Sequence, residues 1–117
     1  ADVTGVGTAR YALAGSGYGS SGQGLFAYGF TSGDVSLKNL VSNTGVVAAD
    51  VAGVGTARSF LAAATYGGDK AVFAYGVVSG QVSMSNLVNS SGVIAADVTG
   101  VGTARRSLGA AGFSFSA

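Results

Sequence analysis

Three acids and three guanidinium groups recur at one spacing in this chain: Asp2 with Arg10, Asp50 with Arg58 and Asp97 with Arg105, each pair eight residues apart. A planar guanidinium facing a carboxylate can form a bidentate contact, so a ring of such pairs could hold a carboxylate or sugar ligand, or could brace the chain where one unit crosses to the next. The brace is favoured, because every unit needs one and a ligand site need not recur. A second set is aromatic. Tyr18 and Tyr66 occupy equivalent hairpin mouths, the second beside Asp69 and Lys70. These four are the candidate ligand-binding residues, as ring faces repeated once per unit can stack on sugars and gain by multivalency. Packing against a neighbouring unit is the competing role and stays open for both. For Tyr28 and Tyr75, at equivalent strand ends, packing is expected.

Acid–base chemistry finds little to work with. The chain has no His and no Glu, and of its five Asp three belong to the repeated Asp/Arg set. Asp34 and Asp69 remain, at non-equivalent positions, and no nucleophile-plus-base constellation can be written. An enzyme is not expected. Gly67-Gly68-Asp69 has part of the pattern of a calcium-binding β-roll, but the first unit replaces it with Ser20-Ser21-Gly22-Gln23, so a turn is expected there and no metal site. Gly53-Val54-Gly55 lacks the later glycine and helix of a dinucleotide fingerprint and is read as a tight crossover, with no cofactor.

The elements that must position these residues come from a repeat. ADVTGVGTAR at Ala1–Arg10 returns as ADVAGVGTAR at Ala49–Arg58 and unchanged at Ala96–Arg105. The 117 residues therefore divide into repeat 1 (1–48), repeat 2 (49–95) and a partial repeat 3 (96–117), within one structural domain. From Tyr28 to Val51 and from Tyr75 to Val98 the first two repeats match at 15 of 24 positions. Their one-residue difference in length lies upstream, in a Gly/Ser turn between apolar stretches, which marks a hairpin loop. Each repeat reads as four short strands. In repeat 2 these are Arg58–Tyr66, Ala71–Val78, Val82–Val88 and Gly92–Val98, parted by turn residues. Leu61–Ala64 is made of helix formers, but Gly-rich turns bracket it within about ten residues, so a strand is expected. In the third segment Val82, Met84 and Leu87 should share one side and Ser83 and Ser85 the other.

Composition narrows the classes further. Net charge is +1 and the basic residues are scattered, so the electrostatic footprint of nucleic-acid binding is missing. No apolar run approaches the roughly 18 residues of a membrane helix, and no membrane insertion is expected. There is no Cys to form disulfides. Only 9% of residues are charged, against about 25% in an average protein, and 21 are Gly, which suits closely packed strands and lateral contacts.

The order of features within a repeat resembles the kelch repeat, a four-stranded propeller blade. The residues carrying the likeness are Arg58, Leu61–Ala64, Gly67 to Lys70, Val72–Gly76, Asn86-Leu87-Val88, Gly92 and GVGTAR at Gly100–Arg105, with Arg10, Leu13-Ala14, Gly19, Leu25–Gly29, Asn39-Leu40-Val41 and Gly45 in repeat 1. The chain departs from that pattern in having Tyr-Gly where kelch blades carry a double glycine, and no Trp. NLVSNTGVVAAD (Asn39–Asp50) and GVGTAR also resemble tandem repeats of phage virion and tail-associated proteins.

An all-β fold of tandem, propeller-blade-like four-stranded repeats of 47–48 residues is therefore expected. Two and a half blades cannot close a ring of about four to eight, so completion by a homo-oligomer is expected, with Arg105–Ala117 lending strand material to a neighbour; a trimeric β-prism fibre is the alternative. The resemblance implies a structural, self-associating virion or surface-appendage component, located in a virion or outside the cell. A carbohydrate-binding propeller, a lectin or adhesin on a cell-surface glycan, is the alternative.

Overall fold

A computed structural model describes residues 1–112. The described residues hold six strands and no helix: β1 (Ala14–Tyr18), β2 (Gln23–Ala27), β3 (Lys38–Val41), β4 (Ala62–Tyr66), β5 (Lys70–Ala74) and β6 (Ser85–Val88). They form two three-stranded antiparallel sheets, β1-β2-β3 and β4-β5-β6, one from each of the first two repeats. Leu61–Ala64 is extended, most of it in β4, where β5 supplies the hydrogen bonds that a short isolated helix would lack. The length difference between the repeats lies in the expected hairpins: four residues link β1 to β2 and three link β4 to β5, with Gly67 and Gly68 at positive φ.

The fourth segment of each repeat departs from expectation. It forms no continuous strand but touches the sheet at isolated bridges, Val41↔Val47 and Lys38↔Val51 in repeat 1, and Val88↔Ile94 and Ser85↔Val98 in repeat 2. The step from Ile94 to Val98 spans one residue more than the facing step from Val88 to Ser85, so the segment is bulged. The side chain of Asn86 fills the bulge and donates to the Ala95 carbonyl at 3.1 Å, as Asn39 does to Ala48. Leu87, expected on the side of Val82 and Met84, is instead exposed, while Asn86 and Val88 on either side of it are buried.

A kink ends the second strand of each repeat. Tyr28 and Tyr75 take φ of 64° and 66°, and the glycines after them 113° and 109°. A Cβ on Gly76 would lie 2.7 Å from the Ser59 carbonyl, so only glycine fits there.

The first sheet packs on the second through β1 against β4 and β5. Tyr18, Leu25, Ala27, Tyr28, Leu61, Ala71, Phe73, Val88 and Ile94 are buried together in a core drawn from both repeats. The repeats are also tied by a backbone ladder of equivalent residues. Phe60 N–H donates to the Ala12 carbonyl and Ser107 N–H to the Phe60 carbonyl, each at 2.8 Å, and all three have φ of 56°. The ladder carries repeat 3 onto repeat 2 as repeat 2 sits on repeat 1. Residues 113–117, the end of the expected strand material in repeat 3, lie outside the described residues.

Candidate functional site

The recurring polar residues gather at the seam between successive repeats, in an arrangement that the eight-residue spacing does not foretell. Asp50 does not pair with Arg58. Its carboxylate accepts the Thr8 N–H at 3.1 Å, the Thr8 hydroxyl at 2.6 Å and the Asn39 side-chain amide at 2.8 Å, all from repeat 1. Asp97 repeats this one step on, with Thr56 N–H at 3.0 Å, the Thr56 hydroxyl and Asn86 at 2.9 Å. Each acid thus reaches back 41 or 42 residues to the threonine of the previous GVGTAR. The threonine hydroxyl, followed by the other donors, holds both carboxyls below the usual carboxylate range.

The arginines serve the backbone instead. Arg58 is fully buried and donates Nε to the Tyr75 carbonyl at 2.8 Å, Nη1 to Thr56 at 3.1 Å and Nη2 to Phe73 at 3.3 Å. Its guanidinium lies 4.6 Å from the centre of the Tyr28 ring. Burial lowers its pKa, yet a guanidinium stays charged in proteins, so the cation is held by carbonyl dipoles and the ring face. Arg105 stacks on Tyr75 at 3.9 Å but is exposed, and Arg10 donates to the Tyr28 carbonyl at 2.7 Å. Asp2 is exposed and has no hydrogen-bond partner among the described residues. Among those residues the ion pair is Lys70 with Asp69, at 2.9 Å. The brace therefore exists with other partners. A Thr–Asp–Asn clasp replaces the Asp–Arg pair, and in it each acid turns toward the preceding repeat.

The candidate ligand residues separate. Tyr66, Asp69 and Lys70 share one hairpin mouth, where Asp69 raises the Lys70 pKa. Tyr18 is 5% exposed and covers Gly92, whose missing Cβ leaves room for its ring. Tyr66 is 36% exposed. Tyr28 packs against Phe73, ring centres 5.6 Å apart, and Tyr28 Oη donates to the Val54 carbonyl at 3.1 Å. The roles of Thr8, Thr56, Asn39 and Asn86 do not follow from the charge pattern, although each recurs at a fixed place in its repeat, which is the signal that finds them.

At the seam each arm lies close against the sheet, with its glycine over a serine and its acid on fixed Thr and Asn donors. A Cβ on Gly53 would collide with Ser36, and one on Gly100 with Ser83. The described residues contain no helix long and apolar enough to cross a membrane. No protein-family model matches the chain, and no curated protein matches it.

Proposed function

We propose that this chain is a structural β-repeat protein that acts by self-association, as a component of a phage virion or surface appendage. The observation carrying this is that one set of contacts is made twice: Thr8–Asp50–Asn39 and Thr56–Asp97–Asn86 clasp successive repeats in the same way. A seam that repeats is a seam that can be extended. Sparse charge supports lateral packing, and the likeness of NLVSNTGVVAAD and GVGTAR to phage virion repeats supports the virion or extracellular setting. The kelch-like order of features supports blades that complete a propeller from several copies, with a three-sided fibre as the other geometry. Light scattering across protein concentration tests the proposal: a mass above that of one chain, rising with concentration, is expected, and a single-chain mass throughout removes it. The glycan-binding alternative rests on Tyr66 with Asp69 and Lys70, since Tyr18 is covered.

A further inference from the structure

The seam sequence occurs three times, and its outer two copies form complementary halves of the contacts that the middle copy makes in full. The arm Ala49–Arg58 is engaged on both sides. Asp50, Val51 and Gly53 seat on repeat 1, while Thr56 receives Asp97. The arm Ala96–Arg105 makes the backward set: Asp97 to Thr56 and Asn86, Val98 to Ser85, Gly100 against Ser83, Arg105 over Tyr75. The arm Ala1–Arg10 makes the forward set through Thr8 and Arg10. Its front half is exposed, without strand or bridge among the described residues, and a Cβ on Gly5 would meet open space. These two arms have the same ten-residue sequence.

We propose that Ala1–Arg10 of a second copy of this chain docks in the slot on the second sheet now held by Ala96–Arg105, and stacks that copy's first sheet on the acceptor's second. The proposal rests on the assembly reading above and names its contact. The surfaces that would meet are the ones left open. Phe26 is 44% exposed, whereas its counterpart Phe73 is fully buried against Tyr28; in the docked pair Phe26 packs on the acceptor's Tyr75. Gly45 has open space around it, whereas its counterpart Gly92 lies under Tyr18; in the docked pair Gly45 covers the acceptor's Tyr66. The Phe60 carbonyl exchanges the N–H of Ser107 for that of the incoming Ala12.

Two effects compete. The chain's own arm is tethered, with an effective concentration on the millimolar scale. The incoming arm brings a three-stranded sheet and Phe26, where the tethered one brings, among the described residues, Gly112 against Thr65. Exchange therefore rises with concentration, as in domain swapping. A rotation between docked copies that closes gives a ring, and one that does not close gives a filament.

The experiment is light scattering across concentration for the 117-residue chain and three variants, with melting temperature as the check on folding. Asp2→Ala and Gly5→Ala change open positions, so they should leave melting of the dilute protein unchanged and weaken association at least about tenfold, the value of one charge-assisted hydrogen bond or one steric block. Asp97→Ala loosens the resident arm and should strengthen association. A labelled ADVTGVGTAR peptide should bind the Asp97→Ala chain, and the same peptide with alanine fifth should not. Association that Asp2→Ala and Gly5→Ala leave untouched overturns the docking while sparing the assembly reading; a chain that stays monomeric to millimolar concentration removes both.

Discussion

Thr8 donates its hydroxyl to the carboxylate of Asp50 at 2.6 Å across 42 residues of sequence, and the pair ties the first two copies of the repeated arm together beside β3. The contact stabilises the charged carboxylate, as does its copy at Asp97. Because both folded-state pKa values lie below the unfolded ones, the folded chain binds fewer protons than the unfolded chain in the interval between them. That stability is present above the ordinary carboxylate pKa of about 4 and is lost as pH falls through the depressed values. Chemical denaturation as a function of pH should show stability falling on acidification below about pH 4, and the Asp50→Asn, Asp97→Asn double variant should be less stable at neutral pH with a flatter acid limb. An unchanged limb in the double variant would assign the acid response to other groups.

Arg58 and Arg105 hold equivalent places but should differ in weight. Removing Arg58 leaves the carbonyls of Tyr75, Thr56 and Phe73 without their donor inside the core and uncovers the Tyr28 ring. Arg58→Ala should cost about 3 kcal/mol or more, at roughly 1 kcal/mol for each abandoned partner. Arg105 is exposed, with one carbonyl partner and the Tyr75 face, so Arg105→Ala should cost about 1 kcal/mol. Arg58→Lys should not rescue, since one ammonium cannot reproduce the planar fork. Urea unfolding of the three variants decides this, and equal losses at the two positions would contradict the seam geometry.

The glycines of the seam give a position-by-position contrast. Gly53→Ala and Gly100→Ala press a methyl into Ser36 and Ser83, which should cost about 1–3 kcal/mol as overpacking does. Gly29→Ala and Gly76→Ala add a disallowed φ to a backbone clash, the latter with Ser59 O at 2.7 Å, and should be worse. Gly45→Ala meets open space but keeps its φ of 85°, so it should cost only about 1 kcal/mol. Thermal melts that rank the three groups otherwise would place the packing elsewhere.

Much of the fold was legible because repetition states it twice. The turns, the hairpin length difference and three strands of each repeat follow from apolar segments bounded by Gly, Ser and Asn. The fourth strand was not legible, since Gly92–Val98 reads as an apolar strand and only the structure shows Asn86 entering its bulge. The seam was half legible. Spacing identified Asp50 and Asp97 as bracing acids, but opposite charge suggested the nearest arginine as partner. The actual partners are neutral, an Asn 11 residues earlier and a Thr 41 or 42 residues earlier, and nothing in local charge pattern points to them. Burial of Arg58 was equally hidden, because its compensation comes from backbone carbonyls, which every sequence has.

Tyr18 and Tyr66 look alike in sequence, yet their surroundings assign them different tasks. Tyr18 is 5% exposed, its ring over Gly92, so Tyr18→Ala opens a cavity and should cost about 3 kcal/mol. Tyr66 is 36% exposed beside Lys70 and Asp69, and Tyr66→Ala should cost under about 1 kcal/mol in the dilute protein. A glycan array separates the remaining roles of Tyr66. If its ring stacks on sugars, wild type gives a signal that Tyr66→Ala abolishes without a change in melting; if it is a covered residue of the assembled state, Tyr66→Ala instead weakens association and the array stays at background. The second outcome is expected, because the place occupied by Gly92 over Tyr18 is the place that a stacked Gly45 would take over Tyr66.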